Sequence, residues 1–127
     1  MRNLQLSQKI TEEMAPVARQ FLQYVIDNQP DKAYAITSTK FQSATDVKSL
    51  RTIFMQYQMM AGSFGTPSSA VWHWKRVDDE NVVEIVYSIP CPNKEVTVFI
   101  PLVLEKGAYR VLSVYLSAVN RAKTLSK

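Results

Sequence analysis

Cysteine and histidine are nearly missing from this sequence. Cys91 is its single cysteine and His73 its single histidine, among 127 residues. One thiol cannot form an intramolecular disulfide, and neither residue has a second cysteine or histidine at ligand spacing. The sequence therefore predicts no metal and no cofactor, and its cysteine usage leaves the redox compartment open.

Long apolar runs and one-sided charge are also missing. The first seven residues hold no continuous apolar stretch, so as written they form neither a signal peptide nor a transmembrane helix, and we expect no membrane insertion. We expect the cytoplasm if Met1 is native and an extracytoplasmic location if the chain is a trimmed export product. Fifteen basic residues are mixed with 11 acids, which argues against nucleic acid; the densest basic stretch, 121–127, is interpreted as a frayed terminus.

The remaining composition is ordinary for a globular protein, with 46% hydrophobic and 20% charged residues. A chain of this length is typical of one domain, 1–127, with one core. Apolar residues at helical spacing predict a long helix between Ile10 and Ile26, which either begins near Ala15 or, as we favour, bends at Pro16. Residues 31–37 predict a short second helix. A third is expected after the capping stretch 43–46.

Beyond the turn-forming residues 62–69 the periodicity changes to two. It predicts an antiparallel meander with strands at 71–77, 82–89, 95–104 and 109–116. The predicted fold class is therefore α+β, with three N-terminal helices packed on a curved, cone-shaped antiparallel sheet of about four strands.

Four segments carry a resemblance to a known family: the first helix, residues 31–38 with Phe41-Gln42 after them, residues 50–54, and the closing residues 107–111. Together they resemble the nuclear transport factor 2-like superfamily, also called the cystatin-like α+β cone, and are similar to small uncharacterised bacterial domains of that group. The resemblance implies a curved sheet around a long helix, and sheet-to-sheet dimers are common in the superfamily. Its members include isomerases, dehydratases, ligand binders and accessory domains, so the site must decide the function.

Few residues are candidates for catalysis. His73 lies between two tryptophans on a predicted strand, and alternation turns it away from both, toward solvent. Cys91 between two prolines is interpreted as a buried or idle thiol. The acids lie in turns, at strand ends or, for Glu84, on the polar side of a strand. The isomerase pattern of the superfamily therefore cannot be carried over to any position, and no catalytic residue is assigned.

Aromatic residues exceed the number that a core of this size needs, so some are expected at a cavity or an interface. The candidate lining of an apolar ligand pocket consists of Tyr24, Tyr34, Phe54, Tyr57, Trp72 and Tyr87.

The last two predicted strands are apolar on both faces, which predicts that a second subunit covers the outer face of the sheet. One apolar row of the last strand would hold Leu112, Val114 and Leu116, and the other would hold Tyr109, Val111 and Tyr115. The candidate interface consists of Phe99, Val103, Tyr109, Val111 and Tyr115.

Three functional hypotheses follow from these patterns. The leading one is a non-catalytic interaction or accessory module that forms a homodimer through its sheet. The alternative is a binder of an apolar small molecule in the cone, and the third is an isomerase- or dehydratase-like enzyme.

Overall fold

Helices come first and strands second in the computed structural model, which describes residues 2–120, with side chains from Gln5 onward. The α+β class and the curved, unclosed antiparallel sheet are as predicted. The predicted frayed stretch 121–127 lies outside the described residues. The elements are α1 Arg2–Lys9, α2 Ala15–Ile26, α3 Pro30–Tyr34, α4 Thr39–Ala44, α5 Val47–Ala61, β1 Val71–Val77, β2 Glu80–Cys91, β3 Lys94–Glu105, β4 Ala108–Val111 and β5 Tyr115–Asn120.

The first helical segment is longer than predicted and changes its winding before the proline. A π-helical turn, Ile10–Met14, joins α1 to α2. Helix α2 begins at Ala15 and Pro16 lies in its first turn, but helical backbone precedes them, since Ala15 N donates to Ile10 O across the π-helical turn. Helical backbone therefore runs from Arg2 through Pro16, so the long helix does not start near Ala15, and the favoured bend at Pro16 stays a prediction.

Helix α4 was not predicted, and its cap explains why it forms. The backbone N–H of Phe41 donates to Oγ of the buried Ser38 at 3.0 Å, which satisfies one free donor of the first turn. Helix α5 is capped in the same way, because Ser49 N donates to Asp46 Oδ1 at 2.8 Å. This bond lowers the pKa of Asp46, the acid that the sequence placed in the first turn and that is the cap itself.

The strands follow the order β1-β2-β3, and β3 then pairs with two partners. One half of β3, residues 102–105, pairs with β4, and the other half, residues 94–99, pairs with β5. All these pairings are antiparallel. The single last strand predicted at 109–116 is therefore two strands, separated by the irregular segment 112–114.

The inner face of the sheet, defined by alternate residues of β2 and β3, packs against α2 and α5. Phe21 of α2 and Phe54 of α5 are fully buried and meet edge to face, with 6.1 Å between ring centroids. Burying an aliphatic or aromatic side chain of this kind contributes about 1.5–3 kcal/mol. The strand residues in the same buried cluster are Val83, Ile85, Tyr87, Ile89, Cys91, Val96, Val98, Ile100, Leu102, Val111 and Leu116.

The split of the last strand corrects the predicted interface. Val111 pairs with Leu102 and is buried on the inner face, and Tyr109 lies on that face two residues earlier. Leu116 also faces inward, although five residues separate it from Val111, because the irregular segment breaks the alternation. The prediction that Tyr109 and Val111 share a face with Tyr115 is therefore wrong.

The connection between α5 and β1 is tied to the end of β2. Gly65 N donates to the carbonyl oxygen of Pro90 at 2.9 Å, and a Cβ at position 65 would lie 2.5 Å from that oxygen. Only glycine fits this approach. Ser68 N donates to Ser88 O at 2.8 Å, so the chain enters β1 alongside β2.

Replacement of the α4 cap tests whether Ser38 holds this helix. We expect Ser38→Ala to lower the free energy of unfolding by about 1–2 kcal/mol, because a buried N–H loses its acceptor. The matched control is Ser43→Ala in the same helix, whose exposed hydroxyl donates to Thr39 O; a change within about 0.5 kcal/mol is expected there. Chemical denaturation measures both, and equal losses would contradict the capping role.

Candidate functional site

The outer face of the sheet is turned away from the helical core, and an apolar row crosses it. Cross-strand pairing joins Val71 of β1 to Val86 of β2, then to Phe99 of β3 and Tyr115 of β5. The two ends are open, with Val71 64% and Tyr115 61% exposed, whereas the two central residues are half-buried. We call these four residues the apolar row.

An ion-pair cluster lies in the next row of the same face. His73 pairs across the strands with Glu84, which pairs with Pro101. His73 Nε2 lies 2.6 Å from Glu84 Oε1, and since a carboxylate can only accept, Nε2 is the donor. Glu84 is only 2% exposed, although no helix of the buried cluster packs on the outer face of the sheet, where its side chain lies. The carboxyl group is buried beneath side chains of its own sheet.

The second oxygen of this carboxylate is less well satisfied. Lys75 Nζ lies 3.3 Å from Glu84 Oε2, but the geometry is not that of a hydrogen bond, and Oε2 has no hydrogen-bond partner among the described residues. Both His73 and Lys75 are half-exposed. The charge of Glu84 is therefore balanced from the solvent side of the sheet only.

A histidine held by a carboxylate is also the arrangement of a general base. Here the residues next to Glu84 on the same strand face, Val82 and Val86, are apolar, and Pro101 lies across from it. Such surroundings favour a charge buried at a contact surface over proton transfer to a polar substrate. The sequence correctly placed His73 opposite Trp72 and Trp74. It did not reveal that the neighbouring strand supplies a carboxylate.

The six predicted pocket residues lie in or against the buried core. Phe54 and Tyr87 belong to the buried core, whereas the other four, Tyr24, Tyr34, Tyr57 and Trp72, are half-buried against it. Five surface grooves of about 280 to 410 Å³ indent the described residues, and of the six only Tyr87 lines any of these five. Their role as a ligand pocket stays a prediction.

Three of the predicted interface residues, Phe99, Val103 and Tyr115, do lie on the outer face. Phe99 and Tyr115 are ring neighbours, with 5.8 Å between centroids. Sequence reasoning missed their partner residues Val71 and Val86. The alternation within each strand gives the face, but only the register shows which residues form one row.

One groove combines residues that the sequence did not single out. It has a volume of about 340 Å³ and is lined by Arg19, Ser68, Ser69 and the buried Tyr87, together with Leu22, Gln23 and Pro67. Arg19 was counted among the scattered surface cations. No periodic pattern connects it with the loop before β1.

Three further features considered from the sequence are the single cysteine, a metal site and a membrane-spanning helix. Cys91 is buried, with its Sγ 3.7 Å from Ile89 O. Between residues 2 and 120 no three histidine, cysteine, aspartate or glutamate side chains gather as a metal site would require. In the same range no helix has both the length and the apolar character needed to cross a bilayer.

The His73–Glu84 contact can be tested by substituting, one at a time, the two β1 side chains that lie against Glu84. We expect His73→Ala to lower the free energy of unfolding by about 2 kcal/mol, because a buried carboxylate loses its charge-assisted hydrogen bond. Lys75→Ala is the matched variant on the same strand and should cost less than about 1 kcal/mol, as half-exposed ion pairs do. Equal losses in urea denaturation would contradict the assigned geometry.

Tyr57 provides a pH-dependent test of the packing between α5 and β5. Burial, assisted by the nearby Tyr115, raises the pKa of Tyr57 to about 12. The folded state thus favours the neutral hydroxyl, and its contribution to stability is complete below about pH 10, the pKa of an unfolded tyrosine, and lost as the pH rises toward 12. Tyrosinate absorbance should show a step near pH 12 that Tyr57→Phe removes. In denaturant the same group should titrate near pH 10. If Tyr57→Phe instead removed absorbance near pH 10 from the folded protein, the burial would be contradicted.

Comparison with known proteins finds no relative of this chain. No family model, no curated protein and no solved structure matches the chain. The function is therefore inferred from the outer face of the sheet and from the grooves. The resemblance to the nuclear transport factor 2-like superfamily stays a prediction.

Proposed function

We propose that this protein is a non-catalytic interaction module that forms a homodimer through the outer face of its sheet. The observation that carries the proposal is the apolar row, which crosses four of the five strands at one level with both of its ends open to solvent. Exposed apolar patches that continue across a surface are typical of protein contacts.

The change in side-chain size along the apolar row favours a second copy of this chain as the binding partner. Val71 and Val86 are small and β-branched, whereas Phe99 and Tyr115 are large aromatic residues. A two-fold axis parallel to the strands, between β2 and β3, reverses the row in the partner. Each aromatic residue then faces a valine, which is how two sheet faces interdigitate.

The residue rows on either side of the apolar row are also compatible with this two-fold axis. On one side lie the small hydroxyl residues Ser88, Thr97 and Ser117, which pair across the strands. On the other side, reversal places Glu84 opposite Pro101 of the partner subunit rather than opposite a second Glu84. Two buried carboxylates therefore do not meet, and the cost of like charges in a dry interface is avoided.

The resemblance to a superfamily rich in sheet-to-sheet dimers supports the same arrangement.

The second candidate function, binding of an apolar ligand, is favoured by one specific observation. A groove of about 370 Å³ between α4, α5 and the 112–114 segment is lined mainly by apolar residues, among them Phe41, Ile53 and Leu112. It is open and shallow, and we rank it below the outer face.

Directed cross-linking tests the dimer and its axis together. In the double variant Val71→Cys/Tyr115→Cys, a bismaleimide of about 10 Å span, the usual separation of packed sheets, should give a covalent dimer in high yield. Within one copy the two positions are three strand spacings apart, about 14 Å, so cross-linking inside a chain is disfavoured. Neither single variant should cross-link. A dimer formed by Tyr115→Cys alone would contradict the proposed axis.

Charge substitution provides the second arm. Native mass spectrometry of the unchanged protein should give a dimer at micromolar concentration, and Val71→Lys/Tyr115→Lys should give a monomer. The control is Met59→Lys on α5, an exposed apolar residue (76%) away from the sheet, which should leave the dimer intact. A monomeric unchanged protein overturns the proposal.

A further inference from the structure

The groove between α2 and the loop before β1 contains a polar group without a partner. Tyr87 is 2% exposed, and its hydroxyl has no hydrogen-bond partner among the described residues. A buried hydroxyl left in this way costs about 1–3 kcal/mol. Native structures rarely retain such a group without a reason.

Arg19 stands at the same groove as a second unmatched donor. It is exposed on α2, and no carboxylate of the described residues forms a salt bridge with it. It is close enough to Tyr87 to affect it: burial raises the pKa of the Tyr87 hydroxyl, and the Arg19 guanidinium opposes that rise. The Tyr87 oxygen is the one acceptor near the guanidinium, and neither the Tyr87 hydroxyl proton nor the other Arg19 N–H groups have an acceptor among the described residues.

The rest of the groove offers polar and apolar contacts in a small volume. Ser69 brings another hydroxyl from the loop, while Leu22, Pro67 and the ring of Tyr87 form apolar wall. The Ser68 hydroxyl is already engaged, since it accepts from Ser88 N at 2.9 Å and donates to Ser69 O at 3.0 Å. These two bonds hold the loop wall in place.

We propose that this groove binds a small organic anion, whose carboxylate or phosphate accepts from Arg19 and Tyr87 while its apolar body lies against Leu22 and Pro67. An anion supplies the acceptor that both donors lack, and arginine binds carboxylate and phosphate with two parallel hydrogen bonds. Arg19 has a long flexible stem, so its swing toward the ligand uncovers the Tyr87 hydroxyl. The volume of about 340 Å³ is within the range of small-molecule sites.

The proposed site is separate from the proposed dimer contact. Tyr87 is on the inner face of β2, whereas the apolar row is on the outer face. Binding of the anion and dimer formation are therefore tested by different variants, and failure of one leaves the other standing.

Titration by nuclear magnetic resonance tests the site with defined probes: inorganic phosphate, phenyl phosphate, benzoate and, as the neutral control, benzyl alcohol. Saturable shifts are expected at the Arg19 side-chain N–H and at the amides of Ser68 and Ser69 for phenyl phosphate, benzoate or both. Inorganic phosphate should bind more weakly than phenyl phosphate, because it lacks the apolar body. Saturation by phenyl phosphate alone, or by benzoate alone, assigns the charged group. Absence of saturable shifts for both, or equally tight binding of benzyl alcohol, overturns the proposal.

Substitutions distinguish the contributions of Arg19 and Tyr87 to binding of the anion. Arg19→Gln should weaken binding by about tenfold or more, the loss of one charge-assisted contact. Arg76→Gln is the matched control, because Arg76 is an exposed arginine of β1 that contacts Asn81 and Asp79, and binding should be unchanged. Tyr87→Phe should weaken binding while leaving the stability of the unliganded protein equal or higher, since it deletes an unpaired hydroxyl. Unchanged affinity in Arg19→Gln would overturn the assignment.

Discussion

Phe21 and Phe54 meet edge to face within the buried cluster that joins α2 and α5 to the inner faces of β2 and β3. The sheet curves around this contact, and the helices that provide it are consecutive along the chain apart from two short ones. Because the helices occupy one face of the sheet, the other face must satisfy its own polar groups and cover its own apolar ones. The outer face is a consequence of this one-sided packing.

Glu84 is a buried charged residue on the outer face of the sheet, which no helix covers. A carboxylate in the middle of a strand would ordinarily extend into water, but here the neighbouring strand brings His73 and Lys75 over it. Buried ion pairs contribute little net stability, because desolvation of the charges offsets their attraction. This contact joins β1 to β2 at directly paired positions, in the row next to the apolar row.

Sequence reasoning succeeded where one face of an element was clearly apolar. The alternation from Val83 to Ile89 predicted both the strand and its buried face. It failed at residues 112–114, where apolar residues on both faces concealed a break in the alternation and placed Tyr109 and Val111 on the wrong side. Helix α4 was missed since a six-residue helix with Phe41 as its main apolar anchor has no periodicity to read. The groove at Arg19 depends on tertiary contacts that no local pattern encodes.

The break at residues 112–114 has a further effect on how the sheet ends. Val111 exchanges backbone hydrogen bonds with the segment before α4, because its N–H donates to Ile36 O at 3.0 Å and its carbonyl accepts from Ser38 N at 2.8 Å. The free edge of β4 is thereby closed at Val111, whereas within the described residues no strand covers the outer edge of β1 or that of β5. At β1, Lys75 and Arg76 place positive charge beside an incoming strand, which disfavours strand addition at this edge. Lys75, which lies 3.3 Å from Glu84, is therefore also one of the charges that oppose edge-to-edge pairing.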